Sequence, residues 1–126
     1  MRQNISSGGA FEPVFGYSRA VRVGNQVHVA GTAARPPHDA ADVYTQTVSV
    51  LDIIDEALRE AGATMADVVR TVVYVTDMND AQQVARAHGE RFRDILPAST
   101  LVEVSALLTP QMRVEIEAYA VLETTG

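Results

Sequence analysis

Over Met112–Leu122 apolar and polar residues alternate without a break: Met112, Val114, Ile116, Ala118, Ala120 and Leu122 point one way, Arg113, Glu115, Glu117 and Tyr119 the other. A period of two marks a strand with one buried face, and this is the clearest strand of the chain. Thr100–Ser105 repeats the pattern, with Thr100, Val102 and Val104 opposite Leu101, Glu103 and Ser105. Arg70–Thr76 is β-branched and nearly continuous, which predicts a strand buried on both faces. Arg19–Val23 and Gln26–Thr32 flank Gly24-Asn25 and predict a hairpin, although Gly-Asn reverses the favoured Asn-Gly order. Pro36–Asp42 reads as an exposed loop leading into a helix over Val43–Ala61, where Val43, Val50, Ile54, Ala57, Leu58 and Ala61 follow the helical period and Gly62 supplies the stop. A second helix is predicted over Ala81–Asp94, on the stripe Ala81, Val84, His88 and Phe92, with Pro97 closing the region.

The resulting order is β-β-α-β-α-β-β. Each amphipathic helix needs a surface to cover, so the expected class is α+β: a single mixed sheet of about six strands with two helices packed on one face. Residues 1–126 form one domain, and residues 1–15 an extended N-terminal segment. The other face of the sheet carries Arg113, Glu115, Glu117 and Tyr119, which suits a wet or subunit-facing surface and predicts oligomerisation through it.

Composition then removes chemistry. There is no cysteine, so thiol nucleophiles, disulfides and Cys-ligated metals are excluded. All 10 basic residues are arginine, which excludes a Schiff-base lysine and the lysine of a phosphate-binding loop. The net charge of −6 opposes approach to a phosphate backbone, so no nucleic-acid partner is expected. His28, His38 and His88 show no HExxH or i, i+4 spacing, and no metal site is expected. The N-terminus lacks the apolar core of a signal peptide, and no run approaches the about 18 residues needed to cross a bilayer; the reading is a cytoplasmic protein without a membrane partner.

Three stretches carry a family resemblance: Gly16–Asn25 running on to Val29-Ala30-Gly31, Val73–Asp80, and Pro97-Ala98 through Val102-Glu103-Val104 to Val114–Ala118. Together they resemble the Rid (YjgF-like) family of reactive-intermediate deaminases, over about Gly16–Val121. The resemblance implies a homotrimer around a barrel-like core, with ligand clefts at the subunit interfaces. For archetypal members it implies hydrolysis of 2-imino and enamino acids to 2-oxo acids and ammonia, without metal or cofactor. The family's arginine, two positions after the proline of the Pro-Ala motif, is Ser99 here. Its loss removes about 1.5–3 kcal/mol of charge-assisted carboxylate binding. A family cysteine position reads Leu101, a serine position Ala30 and an asparagine position Ala85, which makes the cleft more apolar. Tyr17, the Gly31 backbone and Glu117 stay in register.

The resemblance therefore implies a small-molecule hydrolase or deaminase for imine-, enamine- or related carbonyl-type metabolites, with Glu117 as the catalytic carboxylate and Tyr17, Gly31, Ser99, Leu101 and Arg19 holding substrate. Arg19 is the candidate to replace the missing anchor. The alternative is a non-catalytic, trimeric metabolite-binding or chaperone-like protein. Glu117 has a second reading as a strand glutamate paired with Arg113, Tyr17 as an interface tyrosine, and His88 as a hydrogen-bonded core histidine rather than a proton shuttle. Ser99 sits in no Gly-x-Ser-x-Gly elbow, which argues against a serine hydrolase.

Overall fold

Gly24, at φ +59, lets β2 (Ala20–Val23) reverse into β3 (Gln26–Thr32) through a two-residue turn that places glycine first. The hairpin is therefore present with the Gly-Asn order. β3 is followed by α2 (Val43–Glu60), β4 (Val68–Val75), α3 (Ala81–Phe92), β5 (Ala98–Glu103) and β6 (Val114–Val121). Two further elements precede β2: β1 (Arg2–Ile5) and the short helix α1 (Phe11–Phe15). The computed structural model describes residues 1–123.

The strands form one six-stranded mixed sheet in the order β1-β2-β3-β6-β4-β5. β6 runs antiparallel between β3 and β4, and β4 and β5 are parallel, joined by the crossover helix α3. The α+β class with one mixed sheet is as the pattern predicts. The first fifteen residues differ from an extended segment: Ile5 is buried, β1 pairs antiparallel with β2 from Arg2↔Val23 to Ile5↔Ala20, and α1 adds a third helix.

The core lies between α2 with α3 and one face of the sheet. Val114, Ile116, Ala118 and Ala120 of β6 are fully buried, as are Leu51, Ile54 and Leu58 of α2. Asp42 accepts from the Thr45 amide at 2.8 Å to cap α2, and Arg22 donates to the terminal carbonyl of Ala61 at 2.7 Å at its other end. Buried Gln46 ties α2 to the approach of β6, donating to the Gln111 carbonyl and accepting from the Arg113 amide, both at 3.0 Å. Within one chain β4 has one covered face, not the two that its sequence predicts. Thr71, Val73 and Val75 are buried towards the helices, whereas Arg70 is exposed and Val72 and Tyr74 are half-buried on the other side. β5 lies two residues earlier than its sequence pattern suggests, because its parallel pairing with β4 begins at Arg70↔Ala98.

α1 is held by its one buried acid. Glu12 accepts from the hydroxyls of Ser6 (2.9 Å) and Ser7 (2.7 Å) and from the amides of Gly9 (3.2 Å) and Ser7 (3.3 Å). Burial alone would raise its pKa, but these four donors outweigh it and hold the carboxyl below its ordinary value. The result fixes α1, which carries Phe11 and Phe15, and the loop after it that carries Tyr17.

Candidate functional site

The outward face of β6 presents Glu115, Glu117 and Tyr119, and antiparallel pairing sets Glu117 opposite Val72 and Glu115 opposite Tyr74. Both oxygens of Glu117 accept a phenol hydrogen, one from Tyr74 and the other from Tyr119. Ionising either phenol would break that bond and set a second negative charge against the carboxylate. Tyr74 is accordingly pushed up to about 12, by the hydrogen bond first and by burial second, and Tyr119 is raised for the same reasons. A carboxylate oxygen has two acceptor directions, so each oxygen of Glu117 keeps one for water or a ligand N–H.

Tyr17, Ala30, Gly31, Glu117 and Tyr119 line a groove of about 460 Å³ within one chain. The structure thus brings together Tyr17, Gly31 and Glu117, which are a hundred positions apart at the extremes of the chain. Arg113, the alternative partner for Glu117, instead makes a two-toothed ion pair with buried Asp80, at 2.6 and 3.1 Å.

Arg19 is 4% exposed, turned beneath this wall rather than into the groove. It donates from Nη1 to Thr32 Oγ1 at 3.0 Å and from Nη2 to the Gly31 carbonyl at 3.1 Å, and its carbon Cζ lies 5.4 Å from the Tyr17 ring centre. Burial lowers its pKa; Nη1 and Nη2 each give one hydrogen bond to the scaffold, and Nε is buried without a partner. It holds Gly31 and Thr32 rather than lining the Glu117 groove, and it lines an adjoining pocket with Tyr17, Gly31 and Glu115.

Glu115 lies on the other side of Gly31. A Cβ added to Gly31 would come within 2.7 Å of Glu115 Oε2, so glycine is what lets this carboxylate lie against the strand. Burial raises its pKa; the Arg19 cation opposes that rise and Glu117 adds to it.

Ser99 and Leu101 are elsewhere. On β5 they pair with Thr71 and Val73, on the helix-covered face, opposite to the face that bears Glu117. Leu101 packs against the core, and Ser99 Oγ lies 2.7 Å from Thr71 Oγ1, which is 2.9 Å from His88 Nε2. The single chain does not bring these two residues to Glu117. Sequence reasoning assigned no site role to Tyr74, Tyr119 or Glu115. Period-two spacing on β6 was a signal for Tyr119 and Glu115, while Tyr74 is reached only through strand register.

His88 stands at 4.6 Å from the Phe92 ring, and burial holds its pKa below the ordinary value. An unfolded chain therefore takes up a proton near pH 6.5 that the folded chain refuses, and stability is retained above about pH 6.5 and lost as pH falls, until the folded value is passed. The thermal midpoint of the protein is expected to drop from about pH 7.5 to 5.5, and His88→Asn to remove that part of the drop. An equal drop in the variant would contradict it.

Among the described residues no cluster of His, Asp and Glu fits a metal ion, and no helix is long and apolar enough to cross a membrane. The geometry offers a fixed carboxylate acceptor, a phenol and exposed backbone around a small groove. A family model described as Endoribonuclease L-PSP matches residues 8–122. The chain is 37% identical over 116 residues to a RutC family protein of Pyrococcus abyssi, covering 89% of this chain and 91% of that one. It is 33% identical over 125 residues to the 2-iminobutanoate/2-iminopropanoate deaminase of Mus musculus, covering 96% and 92%. The crystal structure of a YjgF/YER057c/UK114 family member from Mycobacterium tuberculosis is similar with a TM-score of 0.92 at 47% identity, covering 97% of this chain and 100% of that one.

Proposed function

The chain belongs to the Endoribonuclease L-PSP family of YjgF- and RutC-type proteins, and from that premise we propose that it hydrolyses small imine-, enamine- or related carbonyl-type metabolites in the groove between Tyr17 and Glu117. One observation carries the reading: the Glu117 carboxylate is held by two phenols and keeps acceptor capacity towards the groove. A water on that acceptor is oriented for attack. Its oxygen bonds to the C=N carbon, the π electrons move to nitrogen, and nitrogen takes the proton. Collapse of the carbinolamine then transfers its hydroxyl proton to nitrogen, forms C=O and breaks C–N, releasing ammonia with the carbonyl product. Tyr17 and the Gly31 backbone hold the substrate. The likeness to a mouse 2-iminobutanoate/2-iminopropanoate deaminase supports the reaction class. Ser99 at the anchor position sets the substrate apart, because a hydroxyl carries no charge for a carboxylate.

The working unit in this reading is a homotrimer. Its open sheet face, with Tyr74, Glu117 and Tyr119 half-buried, meets a second copy, and β5 of that copy brings Ser99 and Leu101 to the groove. Light scattering is expected to return a three-chain mass. An RNA substrate is disfavoured by the net charge of −6.

The decisive experiment couples an amine or amino-acid oxidase to the protein and follows ammonia release. Imines without a carboxylate are expected to turn over at least as fast as 2-iminobutanoate. If no imine is hydrolysed faster than in buffer, while small carbonyl compounds still raise the thermal midpoint, the non-catalytic binding reading, motivated by apolar Ala30 and Leu101, takes its place.

A further inference from the structure

A cavity of about 140 Å³ lies between the end of β1 and the last turns of α2, and it shares no residue with the Glu117 groove. Ile5, Ile53 and Ala57 give it an apolar wall, and Arg19, Arg35, Glu56 and Glu60 supply its charges. Among the described residues none of these four groups makes an ion pair. Opposite charges that line one space without closing on one another leave a gap between them, which water or a ligand fills.

The two signs are sorted by depth. Arg19 is 4% exposed and Arg35 half-buried, so the guanidiniums form the floor, whereas Glu56 and Glu60 are exposed, one helical turn apart on α2, and stand at the mouth. Arg19 Nη1 and Nη2 are engaged by Thr32 and the Gly31 carbonyl, but Nε is buried without a partner. Arg35 donates from Nη2 to Ser7, and the hydroxyls of Ser6 and Ser7 both turn to Glu12. The donors left over are therefore guanidinium N–H groups, and the acceptors are the two carboxylates of α2. A simple anion would have to pass Glu56 and Glu60, and a simple amine would find two cations behind them. A molecule with a carboxylate and an ammonium one carbon apart satisfies both layers.

We propose that this cavity is a second ligand site, for a small α-amino acid zwitterion, with the carboxylate on Arg19 and Arg35 and the ammonium towards Glu56 and Glu60. The space admits glycine or alanine and shuts out longer side chains. Arg19 links this site to the groove, because the same guanidinium holds the Gly31 carbonyl and Gly31 lines the groove. The site goes beyond the imine-hydrolase reading and does not depend on it.

Glycine tests the site apart from the chemistry, because it has no C=N bond to hydrolyse. Calorimetric titration of the full-length protein near neutral pH is expected to show glycine and L-alanine binding, with acetate, methylammonium and L-leucine each weaker by about tenfold or more. The double change Glu56→Gln with Glu60→Gln should weaken glycine by about 10- to 100-fold, and Arg35→Gln should do the same. Because both glutamates are exposed, the double variant keeps the test available if Arg35→Gln fails to fold. Glycine affinity is expected to be native in Glu117→Gln, and backbone NMR of the native protein should show the Ser7 and Gly31 amides shifting with glycine. No saturable glycine binding means that water alone fills the space, and overturns the proposal. So does acetate binding as tightly as glycine, or glycine affinity that is lost in Glu117→Gln and kept in the double variant. Glycine binding without imine turnover supports this site and sinks the hydrolase; turnover without glycine binding does the reverse.

Discussion

Exchange of Glu117 for glutamine is expected to lower kcat for imine hydrolysis by about 10²- to 10⁴-fold, the range a positioned acid–base group contributes, with KM changed far less. Glutamine keeps the shape but loses the charge and one acceptor. In the native site each carboxylate oxygen takes one phenol, from Tyr74 and from Tyr119, and offers its remaining lone pair to the groove. The amide must turn its NH2 towards one of those phenols, so the water loses an anionic acceptor and the site loses its geometry. The same substitution has an optical readout independent of turnover. Tyr74, held up at about 12 by its bond to Glu117, should titrate closer to an ordinary tyrosine once that bond is to a neutral amide. Ultraviolet titration of tyrosinate would show it. A variant with native kcat, or one in which no tyrosine titration moves, would remove Glu117 from the proposed role.

Leu51→Ala is expected to cost about 2–5 kcal/mol of folding stability. Leu51 is fully buried in α2, where it belongs to the cluster that includes Ile54, Leu58 and Ile116. Removing its isobutyl group takes away both transfer free energy and packing contacts, and a helix clamped at both ends has little freedom to close the void. Against a domain stability of about 5–15 kcal/mol, that is a large fraction, and it corresponds to a fall in Tm of roughly 10–20 °C. Leu108→Ala, at a side chain 65% exposed, should change stability by less than about 0.5 kcal/mol. Denaturant titration of the two variants checks both values. A Leu51→Ala loss below about 1 kcal/mol would mean that α2 is not seated as described.

The elements that were easiest to foresee are those whose pattern repeats within the element. The helix expected over Val43–Ala61 runs Val43–Glu60, and every expected apolar position on its stripe is buried. The strand expected over Met112–Leu122 runs Val114–Val121 with the expected face inward. β1 escaped because its single buried residue, Ile5, sets up no period. β4 was read as doubly covered because β-branched residues favour a strand whatever lies on its faces. At the site, Tyr119 and Glu115 were legible as face-mates of Glu117, two positions away on either side. Tyr74, 43 positions from Glu117, was not. Arg19 could be named as a charge near the cleft, but that Nη1 and Nη2 reach Thr32 and the Gly31 carbonyl while Nε stays buried and unpartnered depended on the folded chain.

From the amino-acid order alone came the α+β class, the faces of α2 and β6, the exclusion of thiol and lysine chemistry, and the family. These depend on residue identity and on spacings of two to four positions, which the backbone geometry of a helix or strand converts directly into faces. Only the folded chain decided that two phenols clasp Glu117, that Arg19 is buried beneath Tyr17, that Ser99 and Leu101 sit on the opposite side of the sheet, and that Glu115 faces an aromatic pocket. Those outcomes hinge on which residues stand opposite one another when distant strands pair, and a shift of one position would turn each of these side chains to the other face.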